Sequence, residues 1–134
     1  MQVKIQFREF STPISIDDLK SGINNKNLEG KIGVEEVKSL DGAAGGIIFG
    51  TYVLKRVIEL AKEIAVMELA EIVIETVKHF AKKLHFQITT KEDPTPKNLN
   101  LSVTMTADEL DKFLKEHGIN PEAVVKTIIV SPIK

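Results

Sequence analysis

A chain of 134 residues, 43% hydrophobic and 28% charged, is one domain's worth of globular material and too apolar for a disordered segment. Its 18 Lys+Arg against 19 Asp+Glu give a formal net charge of -1, no electrostatic footprint for nucleic acid or an anionic membrane, so no nucleic-acid partner is expected. With no cysteine, disulfides, thiolate nucleophiles and Cys-based zinc sites are excluded, and six Phe, one Tyr and no Trp offer few platforms for stacking bases.

Val3, Ile5 and Phe7 alternate with Lys4, Gln6 and Arg8, the period of a half-buried strand. The same alternation differs from the apolar core of a signal peptide, so a cytoplasmic location is expected. Ser15 with Asp18 three residues later predicts the capped start of a short helix, and Gly22 offers a stop. Asn24 to Asn27 read as a loop. A second strand follows over 31–38 with Ile32 and Val34 inward, and Glu35-Glu36 mark a bulge or its end.

Gly42-Ala43-Ala44-Gly45-Gly46 then leads into the longest helical pattern, which predicts a helix over 47–84. At a rise of about 1.5 Å per residue this helix would run roughly 57 Å, beyond the roughly 36 Å diameter of a domain of this length. Lys55, Arg56, Glu59, Lys62, Glu63, Glu68, Glu71 and Glu75 interrupt the apolar run too often for a bilayer span. Its amphipathicity also changes side. Arg56, Glu59, Lys62 and Glu63 share one face of the first half, and Glu68, Glu71, Glu75, Lys78 and Lys82 a different face of the second. The apolar stripe moves from Val53, Val57, Leu60 and Ile64 to Val66, Leu69, Ala70, Val73, Val77 and Phe80, with the switch at Ala65-Val66-Met67.

Either the helix breaks at the switch and folds back, or it continues and buries its two halves against different neighbours. Residues 63–68 hold neither Gly nor Pro to cause a kink, which favours the second alternative. A continuous helix would meet its own sheet on one face and a second chain on the other. That predicts a self-associating or partner-binding module, with Val57, Leu60, Ile64, Val66, Leu69, Val73, Val77 and Phe80 as interaction residues.

Residues 85–90 and 98–106 read as an antiparallel hairpin around the Pro-bearing loop 91–97. Thr106 and Glu109 form a capping box opening a helix over 107–117, which Gly118 closes. Asn120-Pro121 starts a turn or short helix, and 127–130 are β-branched enough for an edge strand that Pro132 ends. The whole predicts a single α+β domain over 1–134. Its expected architecture is a two-layer sandwich, a mixed four- to five-stranded sheet covered on one face by the long central helix and shorter helices.

Candidate chemistry is sparse. Backbone N–H groups at Gly42, Gly45 and Gly46, ahead of a helix, could cradle an anion, although Ile47 and Ile48 stand where a phosphate loop has Lys and a hydroxyl. His79, His85 and His117 lack metal-ligand spacing; His79, four residues after Glu75, reads as a surface pair, and His117 as a helix C-terminal cation. The acidic row Glu68, Glu71 and Glu75 reads as a solvated helix face. No nucleophile elbow, cofactor motif or metal motif is found, so no catalytic, cofactor or metal residues are assigned. The reading is a non-catalytic interaction or adaptor module that self-associates; the alternative is a small-ligand or nucleotide-binding regulatory domain using the glycines at 42–46.

In element order over 1–117 the chain resembles the effector-associated constant component family of bacterial conflict systems. The likeness rests on the strand Val3–Arg8 leading to Asp17-Asp18-Leu19, on Asn27-Leu28-Glu29-Gly30-Lys31 before the second strand, on the glycines at 42–46 before a long apolar helix, and on Phe86-Gln87-Ile88 opening the hairpin. The family's basic, Trp-containing helix ending has only Lys82-Lys83 in its place. The resemblance implies an accessory domain working beside effector proteins, with no catalytic residues to carry over.

Overall fold

The computed structural model describes residues 2–28, 30–37, 50–56 and 63–133. Along the chain these form β1 (Gln2–Phe7), α1 (Ile16–Asn25), β2 (Ile32–Glu36), β3 (Gly50–Arg56), α2 (Val66–Val77), β4 (Lys83–Thr90), β5 (Lys97–Ser102), α3 (Ala107–Glu116) and β6 (Val125–Pro132). The strands make one mixed six-stranded sheet in the order β2-β3-β1-β6-β4-β5. Only β1 and β6 run parallel, with Ile5 beside Ile128 and Phe7 beside Val130; the other neighbours are antiparallel.

Period-2 alternation puts one apolar face on this sheet. Val3, Ile5, Phe7, Leu54, Leu84, Phe86, Ile88, Leu99, Ile128 and Val130 are all buried beneath the helices. On the opposite face Lys4, Asn98 and Asn100 are exposed and Gln6, His85 and Gln87 half-exposed. Tyr52, from β3, joins the core and donates its hydroxyl to the Ile14 carbonyl. Burial pushes the Tyr52 phenol above its ordinary pKa, and the carboxylates of Glu36 and Asp18 add to the shift.

The α+β class and the mixed sheet are as expected, but the long helix and the strand count are not. Within the stretch that reads as a helix over 47–84, residues 50–56 are strand β3 and the described helix is α2, Val66–Val77. The misreading has a geometric cause: residues four apart share a face in a helix and in a strand alike, so a spacing of four that starts at Val53 does not tell the two apart. The change of apolar side at Ala65-Val66-Met67 is real in the sequence and marks neither a kink nor a second buried face. Ala65 is the N-cap of α2, with extended backbone at φ -81 and ψ 157, so the helix begins there.

Two further corrections concern position. The residues 127–130 belong to β6, a central strand between β1 and β4, because Pro132 falls at its last residue, where it interrupts no further ladder. Gly22 does not stop α1, which continues to Asn25; a Cβ at Gly22 would meet Thr76 Oγ1 at 2.2 Å. The missing side chain is what lets α1 and α2 approach.

Candidate functional site

The N-terminus of α2 lacks a side-chain cap. Its first amides are instead satisfied by the segment before β6: Val66 N–H donates to the Ala123 carbonyl at 2.9 Å and Met67 N–H to the Pro121 carbonyl at 3.0 Å. That segment is a tight turn, in which Asn120 Oδ1 accepts from the Glu122 N–H at 3.0 Å. Val125 N–H returns to the Ile64 carbonyl at 3.1 Å, and Ala65 pairs with Val124 across an isolated bridge.

The opposite wall is the end of α1. Asn27, at φ 57, takes the left-handed position of a Schellman motif: Leu28 N–H donates to the Ile23 carbonyl at 3.1 Å and Asn27 N–H to the Asn24 carbonyl at 2.9 Å. Between these walls lies a groove of about 590 Å³ floored by Leu28, Ala65, Met67 and Val124. Among the described residues its rim carries Glu63, Glu68, Glu71 and Glu122 beside Lys26. Lys26 pairs with Glu71 at 2.6 Å, and Lys91 reaches Glu63 at 2.8 Å from outside the groove. Among the described residues four carboxylates line the groove, with Glu71 offset by Lys26 and Glu63 by Lys91, an acidic lining that suits cationic groups better than phosphate.

The expected interaction stripe is placed elsewhere. Ile64, Val66, Leu69, Val73 and Val77 are at most 1% exposed and belong to the chain's own core, so a partner cannot reach them in the folded protein. Phe80, 39% exposed, stands apart from them at the end of α2. Val57 and Leu60 lie outside the described residues, as do Gly42, Gly45 and Gly46. The next described element after those glycines is β3, so the helix dipole invoked for anion binding has no helix at 50–56 to supply it.

The acidic row divides. Glu68 and Glu71 line the groove, whereas Glu75 pairs with Lys78 at 2.8 Å and not with His79. His117 caps α3 as expected, its Nδ1 2.9 Å from the Phe113 carbonyl and its ring centroid 4.2 Å from that of Phe113. His85, on β4, bridges two side chains of β5, with Nδ1 2.7 Å from Asn100 Oδ1 and Nε2 3.1 Å from Asn98 Oδ1. Among the described residues no group of three or more His, Asp or Glu is placed to hold a metal ion. Nor is any helix of the described residues long and apolar enough to cross a membrane.

Glu122, Lys26 and the groove itself escape sequence reading, because they meet only through the turn at 120–123 and the end of α1. The one available signal was the pair Glu68 and Glu71, three residues apart on one helix face. No protein-family model, curated protein or solved structure matches the chain.

Proposed function

We propose that the protein is a non-catalytic interaction module that seats a basic, partly apolar segment of a partner protein in the groove between α1 and α2. The observation that supports this reading is the combination of Glu63, Glu68, Glu71 and Glu122 around the floor of Leu28, Ala65, Met67 and Val124. Apolar side chains of a partner would settle on that floor while lysines or arginines meet the rim. An accessory role beside an effector protein, which the family resemblance implies, is part of the same proposal.

The test is a titration of a fluorescein-labelled peptide of alternating lysine and leucine. Binding is expected, weakening as salt is raised because the rim charges are partly solvated. The double variant Glu68→Lys with Glu122→Lys is expected to lose it without a comparable loss of thermal stability. Equal binding by that variant, or binding indifferent to salt, would overturn the proposal. Thermal stabilisation by ATP or inorganic phosphate would instead favour the regulatory-domain alternative at Gly42, Gly45 and Gly46.

A further inference from the structure

Among the described residues the sheet has two terminal strands, β2 and β5. What β5 offers is decided by its ladder. Val103 N–H donates to the Lys82 carbonyl at 3.0 Å, and Ile133 N–H to the Lys83 carbonyl at 2.9 Å. Antiparallel ladders alternate, so β4 turns Lys83 and its odd-numbered residues to β6 and its even-numbered residues to β5. In the observed register Leu84 faces Leu101 and Phe86 faces Leu99. The backbone groups of Leu99 and Leu101 are therefore taken up by β4. Those of Asn98 and Asn100, with the N–H of Ser102, point away from the sheet.

The side chains of this strand are already ordered. Leu99 and Leu101 are 2% and 5% exposed beneath the helices, while Asn98 and Asn100 are exposed on the open face and held by the ring of His85. β5 pairs with β4 without a register shift. Between Asn98 and Ser102 there is no proline and no charge, so the usual guards of a sheet edge are missing.

We infer that β5 is a self-pairing edge, through which two copies of this chain join antiparallel about a two-fold axis at Asn100 and continue one sheet across both. Outward backbone groups must meet outward groups, and centring the axis on Asn100 sets Asn98 against the partner's Ser102. Asn100 then faces its own copy and exchanges both N–H···O=C bonds with it. On the core side Leu99 comes beside the partner's Leu101. Lys97, the only charge of the strand, faces the partner's Val103 and stays far from its twin.

The other terminal strand is guarded by charge: β2 carries Glu35 and Glu36, both exposed, where β5 has no charge between Asn98 and Ser102. The inferred seam shares no residue with the groove, so it stands independently of the partner proposed above.

The test is solution mass by light scattering on a sizing column, over a concentration series of the full chain. A mass approaching twice 14.9 kDa is expected at high concentration. Asn100→Pro, which removes an outward N–H, and Asn100→Lys, which sets two ammonium groups face to face, should each restore the single-chain mass with an unchanged far-UV spectrum. Asn24→Lys, on an exposed part of α1, should leave the dimer intact. Because the chain has no cysteine, a spin label can be placed cleanly at Asn100→Cys or Asn98→Cys, and the distance between copies should be shorter at position 100. A single-chain mass at every concentration, a dimer that survives both Asn100 variants, or a shorter distance at position 98 would overturn the inference. Peptide titration of the same samples reads the groove separately, so loss of one activity is not mistaken for loss of the other.

Discussion

α1 and α3 differ from α2 in where their ends are encoded. In α1 the Ser15 side chain accepts from the Asp18 N–H and Asp18 returns to the Ser15 N–H; in α3 Thr106 and Glu109 do the same. Both helices close in Schellman motifs, through Asn27 in one and Gly118 at φ 73 in the other. α2 has no side-chain cap at its N-terminus, and its first amides depend on carbonyls of Pro121 and Ala123, more than fifty positions along the chain. A helix with a wet face must carry local signals that compete with water. α2, which buries Val66, Leu69, Ala70, Ile72, Val73, Ile74, Thr76 and Val77, takes its limits from what surrounds it.

The contrast breaks most sharply at Val73, fully buried on α2. Val73→Glu puts an unpaired carboxylate in the core and is expected to abolish cooperative unfolding in urea, at a cost of several kcal/mol. A folded Val73→Glu protein of altered mass would restore the partner-facing stripe. Gly22→Ala should cost about 1–3 kcal/mol through overpacking against Thr76, despite alanine's better helix propensity. Thr76→Ala in that background should recover part of the loss; if the two changes simply add, the contact is not the cause.

Helix ends give smaller, more local effects. Ser15→Ala should cost about 1 kcal/mol, with faster amide exchange confined to the start of α1. Asn120→Ala, which frees the Glu122 N–H, should cost a similar ~1 kcal/mol, but its faster exchange should appear at Val66 and Met67 of α2. Equal exchange at those two amides in both variants would dissolve the distinction. The smallest effect is a pH dependence. The backbone N–H of Thr106, helped by its hydroxyl, holds the Glu109 carboxyl below its ordinary pKa. Its contribution is therefore present above the unfolded-state pKa and is lost as pH falls through the lower folded-state value. Amide shifts of the first turn of α3 should show that acid loss, and Glu109→Gln should remove it.

The same distinction explains what the sequence made legible. Ser15 with Asp18, Thr106 with Glu109, and the alternation of Val3, Ile5 and Phe7 are signals complete within a few residues, and each marks an observed element. β3 is concealed because Val53 starts a run at helical spacing, and its pairing with β1 and β2 is what separates the two readings. Gly22 read as a stop because nothing in its neighbourhood announces Thr76. The groove was illegible for the same reason: Glu122 and Glu71 come together through a turn and a helix that are distant in sequence.

The seam between β1 and β6 sets an order of events during synthesis. Lys4 pairs with Thr127 and Phe7 with Val130, so β1 waits for β6 to be made before the middle of the sheet can close. Until then β1 and β4 each lack the strand that lies between them in the finished sheet. Pairing across such a span is slow to form, so a nascent chain halted before residue 125 should be a ready client for chaperones and proteases.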